Sequence, residues 1–210
     1  VQRVFNIGNH ACVSLLETIL LVAGHSAKFN FAYDARTGTR NYDGLNGTEA
    51  VEDLMKDVIK AMKEENLDDE TILKTNIGWI YFWSDSFLRC FIKQKENSVW
   101  VLTVTICPPE NEKSTGNYTY VLAMGKSGED HTPVIEHFLR EYQDLMKGFK
   151  CYFGETNEIG RMAVSMLTWN ADQPERQGLT DARKEGHTGK VSSWAAKVSE
   201  NELPACGKCY

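Results

Sequence analysis

Gly78-Trp-Ile-Tyr-Phe-Trp83-Ser-Asp85 is followed, after a polar break, by Val99-Trp-Val-Leu-Thr-Val-Thr-Ile-Cys107-Pro-Pro109, and this stretch decides the fold. The first segment is aromatic and β-branched, and it ends on an acid. Phe87 to Ile92 extends it, and Lys95-Glu96-Asn97 makes a polar turn. The second is a near-continuous β-branched run, the pattern of a central strand covered on both faces. Pro108-Pro109 ends it, because proline donates no ladder hydrogen bond. Tyr118 to Met124 predicts a third strand. Pro133 suits the first turn of a helix. Val134, Phe138, Leu139, Tyr142, Leu145 and Met146 then recur at helical spacing. Met162 to Trp169 predicts a fourth strand, which runs out at Asn170-Ala-Asp172.

Upstream, residues 1–75 read as a mainly helical region. Asn9 is placed to cap a helix through Leu21, with Val13, Leu16 and Leu20 on one face. Lys28 to Tyr33 alternates like a short strand. Asp34 to Gly47 is rich in Gly, Asn and Asp and reads as a loop. Thr48 opens an amphipathic helix to about Glu65, with Val51, Leu54, Met55, Val58 and Met62 as its stripe.

Composition bounds the function. The 210 residues carry 23 Lys and Arg against 29 Asp and Glu, a net charge of -6, which excludes a broadly basic nucleic-acid coat. No apolar run approaches the roughly 20 residues of a membrane helix, so no membrane span is expected. The six cysteines are scattered rather than framed as disulfide partners. The sequons at Asn46 and Asn117 are common by chance and lack a leader. The expected compartment is reducing and intracellular. Gly125-Lys-Ser-Gly128 lacks the upstream glycine of a P-loop, since position 120 is Tyr120. No GxSxG elbow occurs.

Three groups of residues point to chemistry. Strand–strand–strand–helix–strand is the order in which a ribonuclease-H-like α+β fold begins, and several other α+β folds share three strands and a helix. In such a mixed sheet the first and fourth strands are neighbours, which would bring Asp85 and Asp172 together. Paired carboxylates repel unless they share a cation, and hard Mg²⁺ prefers oxygen ligands. The plainer alternative leaves each Asp at a strand end or turn. Cys206-Gly-Lys-Cys209 is half of a tetrahedral zinc site, or else a pair of idle thiols. Arg161, Arg176, Arg183, Lys184, Lys190 and Lys197 lie with Trp169 and Trp194 in the last fifty residues. They form either a flank for a phosphate backbone or a solvated surface of mixed charge.

Trp169-Asn-Ala-Asp172-Gln-Pro174-Glu-Arg176, with Leu203-Pro-Ala-Cys206-Gly-Lys-Cys209, resembles eukaryotic cut-and-paste transposases of the CACTA and Kyakuja–Dileera–Zisupton kind. There an Asp-x-Pro aspartate, the second acid of a DDE triad, precedes a cysteine knuckle. Trp83-Ser-Asp85 and Thr103 to Pro109 are similar to the upstream strands. The resemblance covers about residues 78–209. It implies a ribonuclease-H-like core at 78–180 and a basic tail with a half zinc knuckle at 181–210. It implies Mg²⁺ on Asp85 and Asp172, Zn²⁺ on Cys206 and Cys209, and DNA held by Arg176, Arg183, Lys184 and Lys190 in the nucleus. The family's third acid lies beyond its cysteines and has no position here, so the expectation is a domesticated or fragmentary chain, inactive alone. The alternative is a non-catalytic interaction subunit with protein partners or self-association. A third reading, a small-molecule enzyme, would need an apolar pocket lined by His131, Glu136 or His137.

Overall fold

The computed structural model describes residues 2–25, 29–41, 48–88, 98–108 and 118–170. Residues Val1–Trp169 form one compact unit. Its described residues make a mixed α+β fold with one large, mostly antiparallel sheet and four helices.

The three strands read from sequence form its centre: β5 (Thr75–Leu88), β6 (Ser98–Ile106) and β7 (Thr119–Lys126). They pair antiparallel, β6 in the middle. Of β6, Trp100, Leu102, Val104 and Ile106 are fully buried on one face, while Val101 and Thr103 are also buried on the other. The uninterrupted apolar run is thus explained by cover on both sides. β6 and β7 slip register between Leu102 and Thr103, as at a bulge.

A helix α4 (Thr132–Met146) follows, with Pro133 in its first turn. Val134, Phe138, Tyr142 and Leu145 are buried at helical spacing. The chain then forms a hairpin, β8 (Phe149–Phe153) and β9 (Glu158–Asn170). β9 also pairs with β5. The contacts give the direction: Gly78 faces Met162 and Ala163, and Ser84 bonds Trp169 at 3.2 Å. Residue numbers rise together, so β9 runs parallel to β5. A Cβ at Gly78 would lie 2.5 Å from both Cys107 Sγ and Met162 Cε. Gly78→Ala is therefore expected to destabilise by about 1–3 kcal/mol through overpacking, measured by urea denaturation.

Among the described residues, positions 1–75 hold four short strands beside their helices. β1 (Val4–Ile7) and β2 (His10–Val13) form a hairpin on the outer edge of β7, and β3 (Phe31–Asp34) pairs with β5 and with β4 (Thr39–Arg40). The first helix, α1 (Leu15–Gly24), starts six residues after Asn9, and Ser14 caps it by accepting from Glu17 N–H at 3.2 Å. His10 and Cys12 alternate inward with period two, and edge pairing to β7 holds them as a strand. Two further helices, α2 (Thr48–Glu64) and α3 (Asp69–Leu73), complete the set. No helix among the described residues is long and apolar enough to cross a membrane.

Helices cover both faces. α1 and α4 pack with Ile80, Phe82, Trp100 and Leu122. On the opposite face Val51, Met55, Val58 and Met62 of α2 pack with Ile77, Trp79 and Ala163. Three cysteines, Cys12, Cys107 and Cys151, are free and buried. Burial pushes Cys107 up to about 12 and Cys151 up to about 11. The thiolate is the reactive form, so both should resist iodoacetamide at pH 8 in the folded chain and react on unfolding, as mass spectrometry would show.

Candidate functional site

Asp85 lies in β5 opposite Val101, with its side chain half-buried. Alternation places Trp83 and Asp85 on one face. The register extends that face across three strands. Trp83 stands beside Thr103 and Val121, and Asp85 beside Val101 and Met124. The Thr105–Thr119 hydroxyl contact, 2.8 Å, marks the same face one row away, and Lys126 opposite Val99 marks its other end. This is the α2 face, but the buried α2 cluster stops at Ile77, Trp79 and Tyr81. Beyond it Trp83 is 42% exposed, Val121 48% and Met124 45%, while Val101 and Thr103 between them are buried, so the end of the sheet that carries Asp85 is exposed at these three side chains and covered at its centre.

Asp85 Oδ1 accepts from Ser86 N–H at 2.7 Å. No Lys or Arg pairs with the carboxylate among the described residues. A half-buried carboxylate whose printed partner is a backbone N–H suits a hard divalent ion through its oxygens. It supplies one ligand only, since the described residues contain no cluster of three His, Cys, Asp or Glu. Asp172 lies two positions past the end of β9, outside the described residues. So do Arg176, Arg183, Lys184, Lys190, Cys206 and Cys209.

The small-molecule alternative finds no support in the groove the structure offers. That cavity, about 300 Å³, is lined by Tyr33, Met55, Ile59, Ile72, Leu73 and Ile77, with Arg40, Glu52 and Lys56. His131, Glu136 and His137 are not among its walls. Ile77 and Asp85 are eight residues apart on β5, roughly 26 Å at strand rise, so groove and carboxylate are separate.

Sequence reading missed a part-buried histidine pair. His10 Nε2 lies 2.7 Å from His131 Nδ1, and the His131 ring stacks on Trp100 at 4.2 Å. One ring donates and the other accepts, so the pair shares a proton. The signal was the inward alternation of His10 and Cys12, legible only once β2 is read as a strand. Burial, then His10, holds His131 below its ordinary 6.5, while Asp130 and Glu129 oppose this. A lowered folded value means that the unfolded chain binds more protons in this range. The contribution of His131 to stability is complete above pH 6.5 and is lost as pH falls through the folded value. Thermal midpoints between pH 7.5 and 5 should therefore fall more steeply for the wild type than for His131→Phe.

Glu141 is structural too. From α4 its carboxylate accepts from the Leu15 and Leu16 N–H groups at 3.0 and 3.1 Å and from the Ser14 hydroxyl, closing the start of α1. No protein-family model matches this chain, and no curated protein matches it in sequence.

Proposed function

We propose that the chain is a transposase-derived, ribonuclease-H-like domain that handles DNA through a divalent-metal site on Asp85 and Asp172. The observation that carries this reading is the strand order β7–β6–β5–β9, with β9 parallel to β5. Three antiparallel strands, a helix, and a strand returning beside the first are the order that the Trp-Ser-Asp and Asp-x-Pro motifs imply. Asp85 is one residue from Ser84, which bonds Trp169, and Asp172 is three residues past Trp169 in sequence. The β8 hairpin strand and the β3 pairing to β5 are additions to that simple order.

In this reading Asp85 and Asp172 hold Mg²⁺, which supplies Lewis-acid stabilisation and activation of the attacking oxygen in phosphoryl transfer. Asp85 is oriented by the Ser86 N–H. Arg176, Arg183, Lys184 and Lys190 would position the phosphate backbone, and Cys206 and Cys209 would hold Zn²⁺.

Mn²⁺ binding followed by electron paramagnetic resonance tests the metal site. The wild type should bind Mn²⁺, and Asp85→Asn and Asp172→Asn should each lose most of that binding without a change in thermal midpoint. Equal binding by all three proteins would refute the reading. The alternative of a non-catalytic interaction subunit draws on the same face, whose exposed Trp83, Val121 and Met124 also fit a protein partner. Equal Mn²⁺ binding with self-association through that face would favour it.

A further inference from the structure

We infer that Trp83 is a stacking platform for an unpaired nucleotide base of the nucleic acid handled at Asp85. The inference rests on the nucleic-acid reading above and adds a recognition residue to it.

The tryptophans of the sheet differ in their surroundings. Trp100 stacks on His131, and Trp169 stacks on Phe82 at 4.9 Å and donates to Ser84. Trp79 is buried. Trp83 is 42% exposed and has no ring partner among the described residues. Its backbone is fixed in the ladder opposite Thr103, whose hydroxyl donates to the Trp83 carbonyl at 3.3 Å. The platform is therefore rigid at its root and open at its ring.

Trp83 and Asp85 point to the same side of β5, with Cα atoms roughly 7 Å apart at strand rise. A nucleotide whose base lies on the indole would bring a neighbouring phosphate towards the carboxylate. Lys126, on the same face and exposed, has no ion pair among the described residues, and it offers a cation for the backbone. A flat ring, a metal-binding acid and a cation on one small surface match a nucleotide's base and phosphate. A protein interface of standard size takes roughly 20–30 residues a side. Among the described residues the exposed apolar side chains here are Trp83, Val121 and Met124. A base in a duplex is already stacked, so the platform selects single-stranded or splayed DNA.

Fluorescence anisotropy with a labelled oligo-dT strand and a blunt duplex tests this, with EDTA present so that binding is read apart from metal and cleavage. Trp83→Ala should weaken single-strand binding about 5- to 150-fold, the loss of one base–aromatic stack. Trp83→Phe should retain most of the affinity. Duplex binding and the salt slope should change little, because no phosphate contact is removed. Single-strand binding equal in wild type and Trp83→Ala, or no single-strand binding by the wild type, overturns the inference. So does a Trp83→Ala effect confined to sedimentation, which would make this face a protein interface. Asp85→Asn separates the two claims. If it leaves Mn²⁺ binding intact while Trp83→Ala loses single-strand binding, the metal site falls and the platform stands.

Discussion

Glu141→Ala is expected to lower the stability of the chain by about 3 kcal/mol, and the thermal midpoint by roughly 6–12 °C. The cause is geometric. The first N–H groups of a helix have no partner within it. In α1 those of Leu15 and Leu16 are met by one carboxylate that arrives from α4, 125 to 126 residues away in sequence. Removing it strands two donors in a part-buried place and leaves the Ser14 hydroxyl without its acceptor. Each hydrogen bond to a charged group contributes about 1.5–3 kcal/mol, discounted here for partial access of water. Glu141→Gln keeps an acceptor and should lose about 1 kcal/mol. Equal losses for the two variants, in urea denaturation at pH 7, would show that the cap is not the cause.

Phe82→Ala is expected to cost about 3–5 kcal/mol, the range for truncating a large buried aromatic. Phe82 is fully buried in β5 and stacks on Trp169, so it ties β9 to the sheet as well as filling the core. Hydrogen exchange should show the amides of β9 losing more protection than those of β1, which sits on the far edge of the same sheet. Val121→Ala, at a side chain 48% exposed, should change stability by less than about 0.5 kcal/mol. Uniform loss of protection across all strands in Phe82→Ala would contradict a specific tie to β9.

The centre of the fold was legible because local pattern and tertiary position agree there. β6 is apolar on both faces because both faces are covered, and α4 announces itself through Pro133 and an apolar stripe that is the stripe it buries. α2 was legible for the same reason. β2 was not. His10-Ala-Cys-Val is too short to show a period against the apolar helix that follows it, and its strand state comes from pairing with β7 more than 110 residues later. β8 was hidden similarly, since Phe149 to Phe153 finds its partner only when the turn at Gly154–Asn157 folds the chain back on β9.

The site was legible by motif and only in part by geometry. Trp-Ser-Asp named Asp85, and the structure places it half-buried near the end of β5, beyond the α2 cluster. Nothing in the sequence shows that Trp83 is exposed there, because exposure depends on where α2 stops. The role proposed for Trp83 therefore needed the register of three strands. Asp172, read from the end of the fourth strand, and Cys206 and Cys209, read from their CxxC spacing, lie outside the described residues.

The most direct test of the two-acid account is the separation of the Asp85 and Asp172 carboxylates in crystals soaked with Mn²⁺. The account predicts both carboxylates on one ion, or on two ions about 4 Å apart. Carboxylates more than about 10 Å apart, with no metal shared between them, would contradict it, since that exceeds the reach of a two-metal centre.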